Sequence, residues 1–299
     1  MRVAVVDLGT NTFNLLVADV HAAGFDIIHN SKEGVALGMG GINEGIISDE
    51  AMERAFGAFE KFKGICKSLD VETIVGIGTS AVRDAGNNAE FLQEIKKRFD
   101  LDIEIVDGLE EAKLIYQGVS WSYEFDKSSL IMDIGGGSTE FIRIETGKEL
   151  EFISANIGVS RAVQLFSLGD PLTRENKNQL ITWFEENSKE LESFRSCEVL
   201  VGASGSFETF YEMVHEEVFP NMLQNICIPR AELIDTLDWI IDSTSEQREN
   251  HPFIIPIRRK MAPVAALKTK WVMEKFGIKE VVISPCSLKE GVLRRFFNE

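Results

Sequence analysis

Two segments of the chain share one layout. In VAVVDLGTNTFNLLVADV (3–20) an apolar, β-branched run leads to Asp7, a turn opened by Gly9 carries Thr10, Asn11 and Thr12, and apolar residues resume at once. In IMDIGGGSTEF (131–141) a similar run leads to Asp133, then to Gly135, Gly136 and Gly137, then to Ser138 and Thr139. Neither segment has a proline or a helical spacer between its apolar runs. Each therefore reads as strand, tight turn, strand: a hairpin with a polar tip. Glycine in the middle of a β pattern costs backbone entropy. A chain that accepts this cost twice is holding something against its backbone that no side chain is allowed to obstruct.

The rest of the chain repeats around these openings. Strands at 3–8, 13–20 and 25–31 lead through a glycine-rich loop (34–50) into a helix starting near Ser48, where Ala51, Ala55, Phe56, Phe59, Phe62 and Ile65 recur at helical spacing. A strand and a polar loop fill 72–87, followed by a helix over 88–98, a strand at 103–106 and a helix from 108. The pattern begins again at Ser129 with two strands around the triple glycine and a third at 151–154. Helices are expected at 158–166 and 173–194, a strand, turn and helix over 196–214, helices at 230–244 and 257–276, a strand at 281–284 and a closing helix. The order βββαβα recurs in both halves. Two similar α/β domains with mixed sheets, 1–124 and 125–299, are expected to flank a central cleft, with the last helix crossing back to the first domain.

Composition narrows the partners. The chain is 44% hydrophobic and 26% charged, the profile of a folded soluble protein. Its 31 basic and 48 acidic residues give a formal charge of −17, which opposes non-specific attraction to nucleic acid or an anionic membrane. A polyanionic substrate is still compatible, because clustered donors or a bound cation reverse the field locally. Cys66, Cys197, Cys227 and Cys286 lie far apart and read as buried free thiols. With no signal-peptide pattern and no apolar run of membrane-spanning length, a cytoplasmic protein is expected.

Several motifs carry chemistry. The tips at Gly9–Thr12 and Gly135–Thr139 would gather backbone N–H groups and hydroxyls into nests for phosphate oxygens, although either alone reads equally well as a tight hairpin. Turns do not require a buried aspartate beside them. Asp7 and Asp133 fit as holders of a hydrated Mg²⁺, with a turn-stabilising role as the alternative. In GTSAVRDAGN (78–87) Thr79 and Ser80 offer hydroxyls, and Arg83 could grip a terminal phosphate through its fork. The plainer reading of Arg83 and Asp84 is a surface ion pair. GLEEA (108–112) places Glu110 and Glu111 at a helix start, where dipole preference alone explains acids. Hydrolysis needs one carboxylate to take a proton from an attacking water, and consecutive helical residues face different ways. Glu111 is the chosen base and Glu110 the reserve. GASGS (202–206) is a third phosphate-type turn, opened by Gly202, with Ser204 and Ser206 as donors and a helix N-terminus behind them. The four histidines have no ligand spacing, so histidine-based metal catalysis is unsupported.

Taken in order, DLGTNTFNLLVADV, GTSAVRDAGN, GLEEAKLIYQGV, MDIGGGSTEF and VGASGS resemble the exopolyphosphatase and guanosine pentaphosphate phosphohydrolase family, within the actin-like ATPase, sugar kinase and heat-shock chaperone fold group. The resemblance covers Val3 to Ser206 closely and the remainder more loosely. It implies two actin-like (ribonuclease H-like) domains, Mg²⁺-dependent release of the terminal phosphate of inorganic polyphosphate, action on guanosine pentaphosphate, and a homodimer. By motif match the family's catalytic glutamate falls on Glu111, its metal- and phosphate-site aspartate on Asp133 and its phosphate-gripping arginine on Arg83. Longer members continue into additional helical domains, so a two-domain short form is expected. The sequence departs from the family pattern at Asp107, which adds charge beside the substrate, and at Arg258, Arg259 and Lys260, a basic run that could line a polymer channel. A kinase or ATPase of the same fold group is the rival reading and would need an adenosine pocket, for which Phe207 is the one candidate. A non-catalytic guanosine polyphosphate binder is a third reading, against which Glu111 argues, since pure binding gains nothing from a carboxylate aimed at a polyanion.

Overall fold

The computed structural model describes residues 1–220 and 223–297. The chain divides into two units, Met1–Gly118 together with the stretch from Leu288, and Val119–Ser287.

In the first unit β1 (Arg2–Leu8), β2 (Thr12–His21) and β3 (Gly24–Gly34) run antiparallel. After α1 (Asp49–Ser68), β4 (Thr73–Gly78) joins β1 in parallel. Then follow α2 (Ser80–Arg83), α3 (Asn88–Phe99), β5 (Ile103–Ile105), which is parallel to β4, and α4 (Gly108–Val119). The sheet order is β3-β2-β1-β4-β5. Central β1 is covered on both faces, with Val3 to Val6 all buried, which is why its sequence is a continuous apolar run rather than an alternation.

Helix α1 forms where its spacing predicts. Ser48 Oγ accepts the Ala51 N–H at 3.2 Å, Asp49 and Glu50 occupy the first turn, and Ala51, Ala55, Phe56, Phe59 and Phe62 are buried. Phe59 meets Phe13 of β2 edge-on, centroids 5.6 Å apart, and Phe56 lies 5.9 Å from Phe91 of α3. The polar loop expected after β4 is instead one helical turn, α2. Ala81 and Val82 are buried, and their packing draws the backbone into a turn closed by the Arg83 N–H on the Thr79 carbonyl at 2.8 Å. Asp107 has a local role: its carboxylate accepts the Glu110 N–H at 2.8 Å and so caps the start of α4.

The second unit repeats the plan. Here β6 (Ser129–Ile134), β7 (Thr139–Ile144) and β8 (Glu151–Ala155) are antiparallel, and after α5 (Val159–Leu165) and α6 (Arg174–Glu186) β9 (Val199–Gly202) joins β6 in parallel. Then come α7 (Gly205–His215), β10 (Ile226–Ile228), α8 (Arg230–Asp242), α9 (Ser245–Glu249), α10 (Ala262–Phe276) and β11 (Glu280–Ile283). The order β10-β11-β9-β6-β7-β8 contains the first unit's five-strand pattern, with β10 added antiparallel at one edge. Helix α11 (Leu288–Leu293) packs on β1 and β2 of the first unit.

The elements differ from those expected at three places. The helix expected to reach 194 stops at Glu186 and resumes as a 3-10 turn over Lys189–Ser193. The helix expected from 257 starts at Ala262, with Pro263 in its first turn, where a missing N–H costs nothing. Strand β10 has three residues, too few for a periodic signal. Helix α10 is buried nearly all round from Ala262 to Met273, with α5, α6 and α8 packed against it.

Among the described residues all four cysteines are free thiols; Cys66, Cys197 and Cys286 are buried, whereas Cys227, on edge strand β10, is exposed and corrects the expectation of burial. Burial pushes the Cys66 thiol up to about 11. No described helix is long and apolar enough to cross a membrane.

Candidate active site

The first tip is a closed turn braced from one side. Asp7 pairs with Asn14 and Leu8 with Phe13, so the chain reverses over Gly9–Thr12. The Gly9 N–H donates to the Thr12 carbonyl at 3.2 Å, and a Cβ on Gly9 would sit 2.8 Å from that oxygen. The Thr10 carbonyl accepts from the Gly38 N–H at 3.0 Å and the Asn11 carbonyl from the Ala36 N–H at 2.7 Å. The glycine-rich loop after β3 is thus the brace of the tip, a role its composition did not reveal.

The second tip is built the same way with a different brace. Ile134 pairs with Thr139, leaving Gly135–Ser138 as the turn. The start of α5 takes all three glycine carbonyls: Val159 N–H binds Gly135 O at 3.1 Å, Ser160 N–H binds Gly136 O at 2.8 Å, and Gly158 N–H binds Gly137 O at 3.2 Å. Arg161 Nε adds a second bond to Gly137 O at 2.7 Å. A Cβ on Gly158 would lie 2.2 Å from Gly136 O, so this backbone-on-backbone docking requires glycine. In a trans peptide the N–H points opposite the carbonyl. With the carbonyls of Gly135, Gly136 and Gly137 turned toward α5, the N–H groups of Gly136, Gly137 and Ser138 are turned away from it, the orientation of an anion nest.

The aspartates end their strands with different partners. Asp7 Oδ2 accepts from Asn14 Nδ2 at 2.8 Å. Burial pushes the Asp7 carboxyl up to about 6, while Asn14 and the Lys289 charge pull the other way. Asp133 Oδ2 accepts from Ser287 Oγ at 2.7 Å. Directly across the sheet from Asp133 is Glu140, buried and bonded to Ser154 Oγ at 2.8 Å. Asp133 and Glu140, opposed in a strand pair, repel, and a cation near that pair would offset the repulsion; taken by itself, a desolvated carboxylate such as Asp7 favours its neutral form, which a cation near it would likewise offset. Among the described residues no three His, Cys, Asp or Glu side chains cluster to hold a metal. Single carboxylates of this kind do not make an all-protein cage; they are the donor type that a hydrated Mg²⁺, which takes one or two carboxylates and keeps its waters, would use.

Arg83 and Glu111 are brought into contact. Arg83 Nη1 donates to Glu111 Oε2 at 2.8 Å and to the Val106 carbonyl at 3.1 Å, while its Nε faces Asp84 Oδ1 at 3.3 Å. Ser80 Oγ donates to the other Asp84 oxygen at 3.1 Å. Glu111 is 7% exposed on the first turn of α4. Glu110, one residue back, is half-exposed and stands near Lys113 and Arg295 at 3.7 and 3.9 Å. The Thr79 hydroxyl donates to the Leu8 carbonyl at 3.2 Å, tying the end of β4 to the end of β1. Thr10, Ser80, Ser138 and Thr139 are likewise buried.

The third turn joins β9 to α7. The place a Cβ would take on Gly202 is filled by the Phe207 ring at 2.2 Å. Phe207 is fully buried and packs edge-on to Phe210 at 5.6 Å, so it is a core wall and not a platform for a base. Ser204 precedes α7, and its buried Oγ has no partner among the described residues. The basic run does not act as one row. Arg258 turns to Thr209 Oγ1 at 2.7 Å and Glu208 at 3.4 Å, Arg259 to the Glu249 carbonyl at 3.1 Å, and Lys260 is exposed.

Sequence reasoning missed Asn14, Ser287, Gly158, Arg161 and Lys268. Lys268 alone left a trace, as a lysine inside the apolar run APVAALKTKWV (262–272).

Known proteins match this architecture along its length. A crystal structure of an exopolyphosphatase from Cytophaga hutchinsonii is 33% identical, covers 100% of this chain and 98% of that one, and superposes with a TM-score of 0.93. The guanosine-5'-triphosphate,3'-diphosphate pyrophosphatase of Aeromonas hydrophila is 32% identical over 97% of this chain and 58% of that protein. A bifunctional 3-dehydroquinate synthase/phosphatase of Fusobacterium nucleatum is 28% identical over 94% of this chain and 44% of that protein. The chain thus spans about half the length of these two curated relatives. Its two mixed-sheet units have the actin-like, ribonuclease H-like fold of the solved structures. The match to the Ppx/GppA phosphatase family runs over residues 16–298, and the chain belongs to that family.

Proposed function

We propose that the protein hydrolyses the terminal phosphoanhydride bond of inorganic polyphosphate, with Glu111 as general base and Arg83 as the grip on the terminal phosphoryl group. The observation that carries this reading is the Arg83–Glu111 contact at 2.8 Å, which puts a guanidinium fork and a buried carboxylate side by side. Phosphate oxygens compete with Glu111 for the fork, which has five N–H donors, and Glu111 is then available to a water. The water oxygen attacks the terminal phosphorus in line, Glu111 takes its proton, and the bond to the bridging oxygen breaks, releasing orthophosphate and a chain shorter by one unit. The tips at Gly9–Thr12 and Gly135–Thr139, with Thr79, Ser80, Gly202 and Ser204, are assigned to the phosphate oxygens. Asp7 and Asp133 are assigned to Mg²⁺, which when bound supplies charge neutralisation of the phosphates.

Guanosine pentaphosphate is the second substrate reading, favoured by the Aeromonas hydrophila relative. A kinase reading loses its support with Phe207 in the core. Phosphate release from long-chain polyphosphate, guanosine pentaphosphate and ATP, each with and without Mg²⁺, separates the three. The proposal expects Mg²⁺-dependent release from polyphosphate; release from ATP alone would overturn it.

Two variants test individual roles. Arg83→Lys should raise KM and lower kcat together, because a point charge replaces a two-pronged donor. An unchanged kcat would take Arg83 out of the reaction. Asp133→Asn keeps the bond from Ser287 in reach but loses the charge, so the Mg²⁺ concentration for half-maximal activity should rise while Tm changes little. An unaltered Mg²⁺ titration would make Asp133 a turn residue.

A further inference from the structure

Helix α10 carries a lysine where packing asks for an apolar side chain. Lys268 is 0% exposed, and Val264, Ala265, Trp271 and Val272 on the same helix are buried around it. Its ammonium donates to Thr139 Oγ1 at 2.9 Å and to the Ile157 carbonyl, and stands 5.3 Å from the Phe184 ring centroid. Glu140 of β7 is the charged group whose field acts on it. Removing a charge from water is costly even when hydrogen bonds replace part of the hydration. Methionine would fill the same space without that cost, so the lysine needs a reason beyond packing.

The two acceptors indicate what that reason is. Thr139 is the first residue after the glycine tip, and Ile157 immediately precedes Gly158, whose turn takes the tip's three carbonyls. We propose that Lys268 is a positioning residue for phosphate handling, a strut that fixes the Gly135–Ser138 tip to its Gly158–Arg161 brace; this rests on the polyphosphate reading above. An ammonium only donates, so the Thr139 hydroxyl accepts from it and keeps its own hydrogen for another acceptor. The positive charge behind the tip also adds to the field that the tip's N–H groups present to an anion.

The test compares wild type, Lys268→Met, Thr139→Val and the double variant. It uses phosphate release from polyphosphate, tripolyphosphate binding by calorimetry, and thermal unfolding at pH 6. Burial lowers Lys268 from 10.5 to about 7. The folded state therefore resists protonation, and Lys268→Met should hold or raise Tm at pH 6, a gain that fades as pH climbs from about 7 toward 10.5. The same variant should lose about tenfold in kcat/KM, mainly through KM, and a similar factor in tripolyphosphate affinity, the scale of a charge-assisted hydrogen bond. A merely structural lysine would lower Tm along with activity. Thr139→Val should reproduce the loss, and the double variant should lose little more than either single one, because both cut one connection. Normal kcat/KM and affinity in Lys268→Met would overturn the proposal, as would additive losses. Should the methionine variant not fold, normal values in Thr139→Val would overturn it equally. Wild-type protein that releases no phosphate from polyphosphate defeats the hydrolysis reading instead, and the binding measurement still judges Lys268.

Discussion

Glu111→Gln should lower turnover by roughly 10²- to 10⁴-fold, the usual range for a positioned acid–base group, while affinity for polyphosphate holds or rises. The amide oxygen of glutamine can still accept from Arg83 Nη1, now 2.8 Å from the carboxylate, so the local geometry is kept. What disappears is the oxygen basic enough to take a proton, together with one negative charge facing a polyanion. Glu110→Gln is the companion variant. Its side chain is half-exposed beside Lys113 and Arg295, and its turnover should stay within about twofold of wild type, as for most surface changes. Initial rates of phosphate release and equilibrium binding of polyphosphate for both variants decide the matter. Collapse in Glu110→Gln with normal turnover in Glu111→Gln moves the base one residue back. Normal turnover in both removes carboxylate catalysis from the start of α4.

Gly158→Ala should be among the most damaging of the single-methyl additions. The new Cβ would stand 2.2 Å from the Gly136 carbonyl oxygen and 2.3 Å from the Gly137 carbonyl carbon, and both are backbone atoms with no rotamer to escape into. Overpacking of this kind costs typically about 1–3 kcal/mol, and here relief comes only by pulling the α5 turn off the tip. The variant should therefore lose stability at the upper end of that range and nearly all phosphate release. Gly57→Ala is the control. That glycine lies exposed within α1 with open space around it, and alanine there should add about 0.5–1 kcal/mol through helix propensity. Urea midpoints and activities for the two variants give the comparison. A Gly158→Ala protein as stable and active as wild type would mean that the tip does not depend on backbone contact with α5.

Much of this was legible in the residues. The phenylalanine spacing of α1 is a direct readout of one buried face, and the two Asp–glycine hairpins announce both the mixed sheets and their polar ends. Arg83 and Glu111, proposed above for the reaction, were legible as chemical types near strand ends, because hydrolysis narrows the residue types that can serve. Their bond was not, since it joins side chains 28 residues apart. The supports of the tips were hidden for the same reason. Gly38 reads as one glycine among several in a flexible-looking loop, and Gly158 as an ordinary helix start; only the partner backbone explains either. Lys268 reaches Thr139 across 129 residues, and no local period records such a contact. Phe207 illustrates the opposite case: its sequence position allowed a stacking platform or a core wall, and the missing Cβ of Gly202 decides for the wall.

The return of α11 to the first unit has a consequence for how the protein is born. Residues 1–118 leave the ribosome before residues 119–287, yet the helix that packs on β1 and β2 is encoded from Leu288, and Gly291 lets it lie so close to α4 that a Cβ would meet the Leu114 carbonyl at 1.9 Å. At about 5–20 residues per second, the nascent first unit waits on the order of ten seconds for its last piece. The stretch from 119 to 287 is continuous and meets no such delay. Maturation therefore runs against the direction of translation: the later-made half has all of its parts first, and a transcript cut before Leu288 leaves the earlier-made half unfinished.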